Sequence, residues 1–161
     1  LRIIMGKARF YYKNANAPEP NKPNHIGATV LIFYKGKVLL ESRADSNRWA
    51  FIGGGLLLNE TLMDCVIRET MEETGIQLQN SDIVFKKLFD DPSIIIEYPD
   101  GNIFRSIMAV YQTNLINMPE LQCSNESNEL KFFSPDELKN IKIVETHIPI
   151  LNEFFSDIFI G

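Results

Sequence analysis

Gly54-Gly55-Leu56-Leu57-Leu58-Asn59-Glu60-Thr61-Leu62-Met63-Asp64-Cys65-Val66-Ile67-Arg68-Glu69-Thr70-Met71-Glu72-Glu73-Thr74-Gly75-Ile76 is the stretch on which the reading of this chain turns. Its spacing predicts a helix over 61–74. Asn59 or Thr61 serves as the N-cap, and Gly75 closes the helix in the left-handed conformation that helix ends favour. At 100° per residue Glu69, Glu72 and Glu73 fall within about 100° of one another. Met63, Ile67 and Met71 lie opposite, while Leu62, Cys65 and Val66 precede the carboxylates on their own side. Like charges at these spacings repel by about 0.2–0.5 kcal/mol per pair. They also occupy the last two turns, where the helix dipole favours Lys or Arg. Flanking apolar residues imply partial burial, which raises the cost unless a cation neutralises the cluster. A hard divalent ion bound through carboxylate oxygens does so, and Mg²⁺ or Mn²⁺ is the natural candidate.

Immediately upstream runs Trp49-Ala50-Phe51-Ile52-Gly53-Gly54-Gly55. Three consecutive glycines read as a turn, or as backbone that approaches a ligand or helix without side-chain clash. Before that, two aliphatic runs flank Lys35-Gly36-Lys37, a hairpin. The N-terminal segment reads as a strand over 2–13 and then a tether, because Pro18, Pro20 and Pro23 fall within six residues. Downstream, strands are predicted at 83–89, 94–98 and 103–113, the last two joined by the turn Pro99-Asp100-Gly101-Asn102. A polar loop over 118–128 follows, then a short strand over 129–133. Ser134-Pro135-Asp136-Glu137 reads as a helix start, and 147–159 as a terminal amphipathic helix. Strands mixed with separate helices point to an α/β sandwich with a mixed sheet.

At 161 residues the expectation is one domain over 1–161, in which 1–23 is strand and tether. With 45% apolar and 23% charged residues, the bulk of the chain is neither disordered nor fibrous. Sixteen basic against 21 acidic residues give a charge of −5, which attracts no nucleic-acid backbone, so phosphates must be met by local cations. Two cysteines build no disulfide framework, and Cys65 falls in an apolar periodic stretch. No apolar run approaches a membrane span. A cytoplasmic protein without membrane or DNA-binding parts is expected, and 1–12 offers an edge for a homodimer. His25 and His147 read as structural, and no G-x-S-x-G elbow exists.

From Gly54 the pattern is Gly, five residues, Glu60, seven residues, then Arg68-Glu69-Thr70-Met71-Glu72-Glu73-Thr74-Gly75-Ile76. It resembles the Nudix box, G-x5-E-x7-R-E-U-x-E-E-x-G-U with U a bulky aliphatic residue. The box covers 54–76, and the hairpin, the Tyr98-Pro99-Asp100-Gly101-Asn102 turn and the segment 126–138 look similar to a bacterial, MutT-like subgroup. Thr70 stands at a U position, and Ile52, Leu57 and Asn59 stand where Pro, Glu and Gly are common. The resemblance implies the Nudix α/β/α sandwich and Mg²⁺-dependent hydrolysis of a nucleoside diphosphate linked to another moiety. It implies Glu69 and Glu73 as metal ligands, Glu72 as a further ligand or the base that activates water, and Gly54 as a carbonyl ligand. Arg68 would orient the glutamates through charge-assisted hydrogen bonds. Glu60 reads equally as a helix-start carboxylate and as part of the metal shell. Glu126 is an additional acidic ligand or general base, with Glu120 and Glu129 nearby, and Arg43 and Arg48 are candidates for substrate phosphates. The alternative is a catalytically weak module of the same fold that senses nucleotides.

Overall fold

Residues His25–Tyr34 (β2) are apolar on both alternating faces and buried throughout 27–32, which marks a central strand. Around it the computed structural model, which describes residues 7–155, builds one mixed sheet. The other strands are Arg9–Tyr11 (β1), Lys37–Arg43 (β3), Trp49–Gly55 (β4), Val84–Phe89 (β5), Ile95–Glu97 (β6), Ile103–Leu115 (β7) and Ser127–Phe133 (β8). Their order is β1-β6-β7-β2-β4-β3-β8, and β5 adds to β7. β2 and β7 run parallel with His25 opposite Ser106, and the other strand pairs are antiparallel.

The helix Leu62–Thr74 (α1) packs one face of the sheet, burying Cys65 and Val66 among Ala28, Val30, Ile52 and Ala109. The short helix Ile148–Phe154 (α2) covers the other, where Ile150, Leu151 and Phe155 meet Leu31, Phe51 and Val110. Phe51 and Phe155 stack with centroids 6.0 Å apart and planes 8° from parallel. Each fully buried aliphatic or aromatic side chain contributes about 1.5–3 kcal/mol. The architecture is therefore the expected α/β/α sandwich with a mixed sheet.

Differences from the sequence reading are local. The glycine run is not a turn: Gly53, Gly54 and Gly55 are strand residues paired with Thr29, Ala28 and Gly27. β8 begins at Ser127, two residues inside the expected loop. The expected helix after Ser134 is one 3-10 segment, Asp136–Asn140. The N-terminal strand is only Arg9–Tyr11 among the described residues, and its expected part at 2–6 lies outside them. So does 156–159 of the terminal helix. The tether at 15–24 has no regular structure but is anchored: Asn21 donates to Gly101 O (2.9 Å) and Ile103 O (3.0 Å) and accepts from Ile103 N (2.9 Å).

Candidate active site

Thr61, not Asn59, caps α1. Its Oγ1 accepts from Asp64 N at 3.1 Å and Asp64 Oδ2 accepts from Thr61 N at 3.0 Å, a reciprocal box. Glu60 is thereby free of capping duty. Its carboxylate accepts from Leu57 N (2.9 Å) and, bidentately, from Arg68 Nε (2.9 Å) and Nη2 (2.6 Å). The Arg68 guanidinium holds the Glu60 carboxyl down at about 2, well below the usual carboxylate range, and is itself held further up. Neither equal reading of Glu60 anticipated this: it anchors the arginine.

Arg68 also donates from Nη1 to Glu69 Oε1 (2.7 Å) and Glu72 Oε2 (3.2 Å), and from Nη2 to Gly55 O (3.0 Å). One guanidinium thus ties the helix to the end of β4 and orients two glutamates. Glu73 lies on the same side and is only 3% exposed, whereas the Glu72 side chain is 58% exposed. No basic residue stands in the last turn of α1. Three carboxylates, Glu60, Glu69 and Glu72, therefore share one guanidinium, and Glu69, Glu72 and Glu73 crowd the negative end of the helix.

The glycines matter through close approach. A Cβ on Gly54 would lie 2.4 Å from Glu69 Cδ and 2.5–2.6 Å from its oxygens, so the bare backbone at Gly54 is what admits that carboxylate. Cys65 is buried beneath, its Sγ 3.5 Å from the Gly54 and Gly55 carbonyls, and burial pushes its thiol up to about 12. That removes it as a nucleophile at neutral pH.

Arg68, Glu69, Glu72, Glu73 and Gly54 border a cavity of about 740 Å³ that runs across the sheet face. Glu126, on the segment before β8, and Arg43 reach the same cavity. Arg43 is 9% exposed, bound through Nε to Asp45 Oδ1 at 2.8 Å and through Nη2 to Asp45 Oδ2, and it lies over the Phe10 ring at 4.9 Å. Arg48 is not among the lining residues, and its Nε donates to Glu145 at 3.2 Å. Met71, placed on an apolar helix side, is instead 41% exposed. The two histidines do more than fill space. His147 Nδ1 accepts from Phe51 N at 3.2 Å, and both His147 and His25 border the cavity. Burial holds the His25 imidazole below the ordinary histidine range. Linear sequence offers no signal for these wall residues, because two strands, the segment before β8 and the 3-10 turn before α2 bring them together.

A family model described as the NUDIX domain matches residues 23–154. The chain belongs to the Nudix family. A MutT-like protein of Streptomyces ambofaciens is 30% identical over 113 residues, 69% of this chain and 64% of that protein. A MutT/nudix family protein from Enterococcus faecalis superimposes with TM-score 0.58 and 28% identity over 73% of this chain and 46% of that one. A bifunctional NMN adenylyltransferase/ADP ribose pyrophosphatase from Francisella tularensis, complexed with AMP and a Mn ion, gives TM-score 0.67 and 27% identity. It is matched over 85% of this chain and 43% of its own length. This Nudix chain thus spans under two thirds of the curated relative and under half of these two structures.

The Nudix glutamates fit a hard divalent cation by donor chemistry: several carboxylate oxygens, one nearly buried, beside a glycine backbone that admits them closely. Among the described residues no three acidic, histidine or cysteine side chains already form a ligand cage. Glu69 and Glu72 turn oxygens to Arg68 instead.

Proposed function

We propose that this Nudix chain hydrolyses the diphosphate bond of a nucleoside diphosphate linked to another moiety, giving a nucleoside monophosphate and a phosphorylated product. The observation that carries the reading is the Arg68-ordered glutamate face, set at the edge of a cavity large enough for a nucleotide. The family relationship and the AMP- and Mn-bound Francisella relative support it.

Glu69 and Glu73 would hold Mg²⁺ or Mn²⁺, with Glu72 and the Gly54 carbonyl as further donors. Bound there, the cation neutralises the phosphoryl oxygens. Arg68 keeps the glutamates in register and Glu60 keeps Arg68 in place. Water attacks one phosphorus as the bridging oxygen leaves with the other phosphate, and Glu72 or Glu126 accepts the proton lost by the water. Arg43, fixed by Asp45, offers its remaining edge to substrate phosphate, whereas Arg48, paired with Glu145 outside the cavity lining, is left out of this role.

The deciding experiment is product detection over dinucleoside polyphosphates, ADP-ribose, nucleotide sugars and nucleoside triphosphates with Mg²⁺, alongside Glu73→Gln. Turnover of at least one class, reduced about 100-fold or more by Glu73→Gln, is expected. Binding without turnover by the wild type would make the chain a nucleotide sensor. Full activity of Glu73→Gln would overturn the ligand assignment.

A further inference from the structure

Three strands leave one edge without a strand partner among the described residues: β1, β5 and β8. β1 is three residues long, and β5 carries a bulge and the adjacent, exposed Lys86 and Lys87, devices that keep an edge from pairing. β8 is different. It offers seven residues, Ser127-Asn128-Glu129-Leu130-Lys131-Phe132-Phe133, bound to β3 on one side. Asn128 is the extra residue where the register against β3 shifts, so 129–133 is the regular part.

Side chains alternate along this edge. Leu130 and Phe132 are half-buried and pack against the core on the α1 face. Glu129 and Lys131 are exposed on the α2 face, where Lys131 Nζ lies 5.1 Å from the centre of the Phe133 ring. Neither makes an ion pair among the described residues. A two-fold axis perpendicular to the sheet would pair such a strand with its own copy, antiparallel and with both faces preserved. The residue on the axis then meets itself, and its two neighbours meet each other's copies. Centred on Glu129 or on Lys131, the pairing sets like charges against each other, which destabilises it. Centred on Phe132, it forms no Glu–Lys pair and runs into Pro135, which has no N–H to donate. Centred on Leu130, Glu129 meets the partner's Lys131, Lys131 meets the partner's Glu129, and Leu130 meets Leu130 of the partner subunit on the α1 face. These three pairs lie clear of Asn128. Attraction has to be local, because each copy carries a net charge of −5.

We propose that β8 is the contact surface for a second copy of this chain, joined antiparallel about Leu130 into one continuous sheet with two reciprocal Glu129–Lys131 ion pairs. None of the three central residues lines the cavity, so the proposal stands or falls apart from the hydrolase reading.

The test is self-association of the full chain by sedimentation velocity. A contact of this size is weak, so concentrations run from roughly 1 μM to 1 mM. Wild type, Glu129→Lys and Lys131→Glu are compared, with thermal unfolding confirming that each is folded. Either single variant sets two like-charged pairs across the axis, and its self-association should weaken at least about tenfold. An equimolar mixture of the two variants has opposite charges at both pairs and should associate about as tightly as wild type. The double variant Glu129→Lys/Lys131→Glu should do the same.

A wild type that stays monomeric throughout overturns the proposal. So does a dimer that both folded single variants leave unchanged, which would put the contact at β1 or another face. Single variants that separate and do not recover on mixing overturn the register about Leu130. Should a variant fail to fold, amide hydrogen exchange over 127–133 of the wild type answers alone: protection should rise with concentration, and exchange independent of concentration overturns the contact.

Discussion

Replacing Gly54 by alanine separates the site's geometry from the fold's stability. The added Cβ would sit 2.4 Å from Glu69 Cδ, where ordinary contact begins at 3.4 Å, so the carboxylate must withdraw by about 1 Å. What it meets is the end of a side chain, and the backbone at Gly54 has no positive φ, so alanine fits the strand itself. Stability should hold or rise by up to about 1 kcal/mol, through lower entropy of the unfolded chain. Function should not hold. The shift loosens the 2.7 Å Arg68–Glu69 bond and moves a proposed ligand, and displacement of a reacting group by about 1 Å costs about 100-fold. That is about 2.7 kcal/mol of transition-state stabilisation. The assay is kcat/KM with Mg²⁺ on the best substrate of the panel, with Mn²⁺ affinity by calorimetry and the urea midpoint measured on the same preparation. Wild-type kcat/KM and Mn²⁺ affinity in Gly54→Ala would refute the argument that close approach at Gly54 places Glu69. A large loss of stability would show instead that the glycine serves the sheet.

Glu60→Gln should destabilise the chain by about 3 kcal/mol at pH 7, because the folded carboxyl at about 2 lies below its ordinary 4.5. With the folded value depressed, this contribution is complete above pH 4.5 and disappears as pH falls towards 2. Urea unfolding of wild type and variant should therefore converge at low pH, and a constant gap from pH 7 to pH 2.5 would contradict the ion-pair account. Thr70→Val should stabilise by about 1 kcal/mol, since the Thr70 side chain is fully buried and its Oγ1 has no hydrogen-bond partner. A lowered melting temperature for Thr70→Val would count against that.

How much of this was legible in sequence follows from the range of the interactions. The helix, its glutamate face and the cap at Gly75 depend on contacts three to four residues apart, and linear spacing reports these directly. The sandwich was readable because strand alternation and turn residues are local. The Arg68 network was only half legible. That Arg68 orients Glu69 and Glu72 follows from one helix, but its bidentate hold on Glu60 required knowing that Thr61 and Asp64 cap each other and leave Glu60 spare. Of the two readings of the glycine run, the turn failed and the close approach to a helix held, because sequence cannot distinguish glycine needed for φ from glycine needed for space. Here Gly54 sits in a strand under a carboxylate that arrives from a different element.

By itself the sequence determined the charge problem: clustered glutamates on the wrong end of a helix are costly unless positive charge meets them. Tertiary structure alone decided what else shares the cavity. His25, the hairpin carrying Tyr98 and Phe104, and Glu126 lie far apart along the chain, and only the parallel β2–β7 pairing, the pinned hairpin and the segment before β8 bring them to one cavity. Arg43 shows the same division, since a sequence shows only its charge, while the fold commits that charge to Asp45 and Phe10. Local backbone physics sets periodicity and caps. Long-range strand pairing sets which side chains meet, and no linear spacing encodes that.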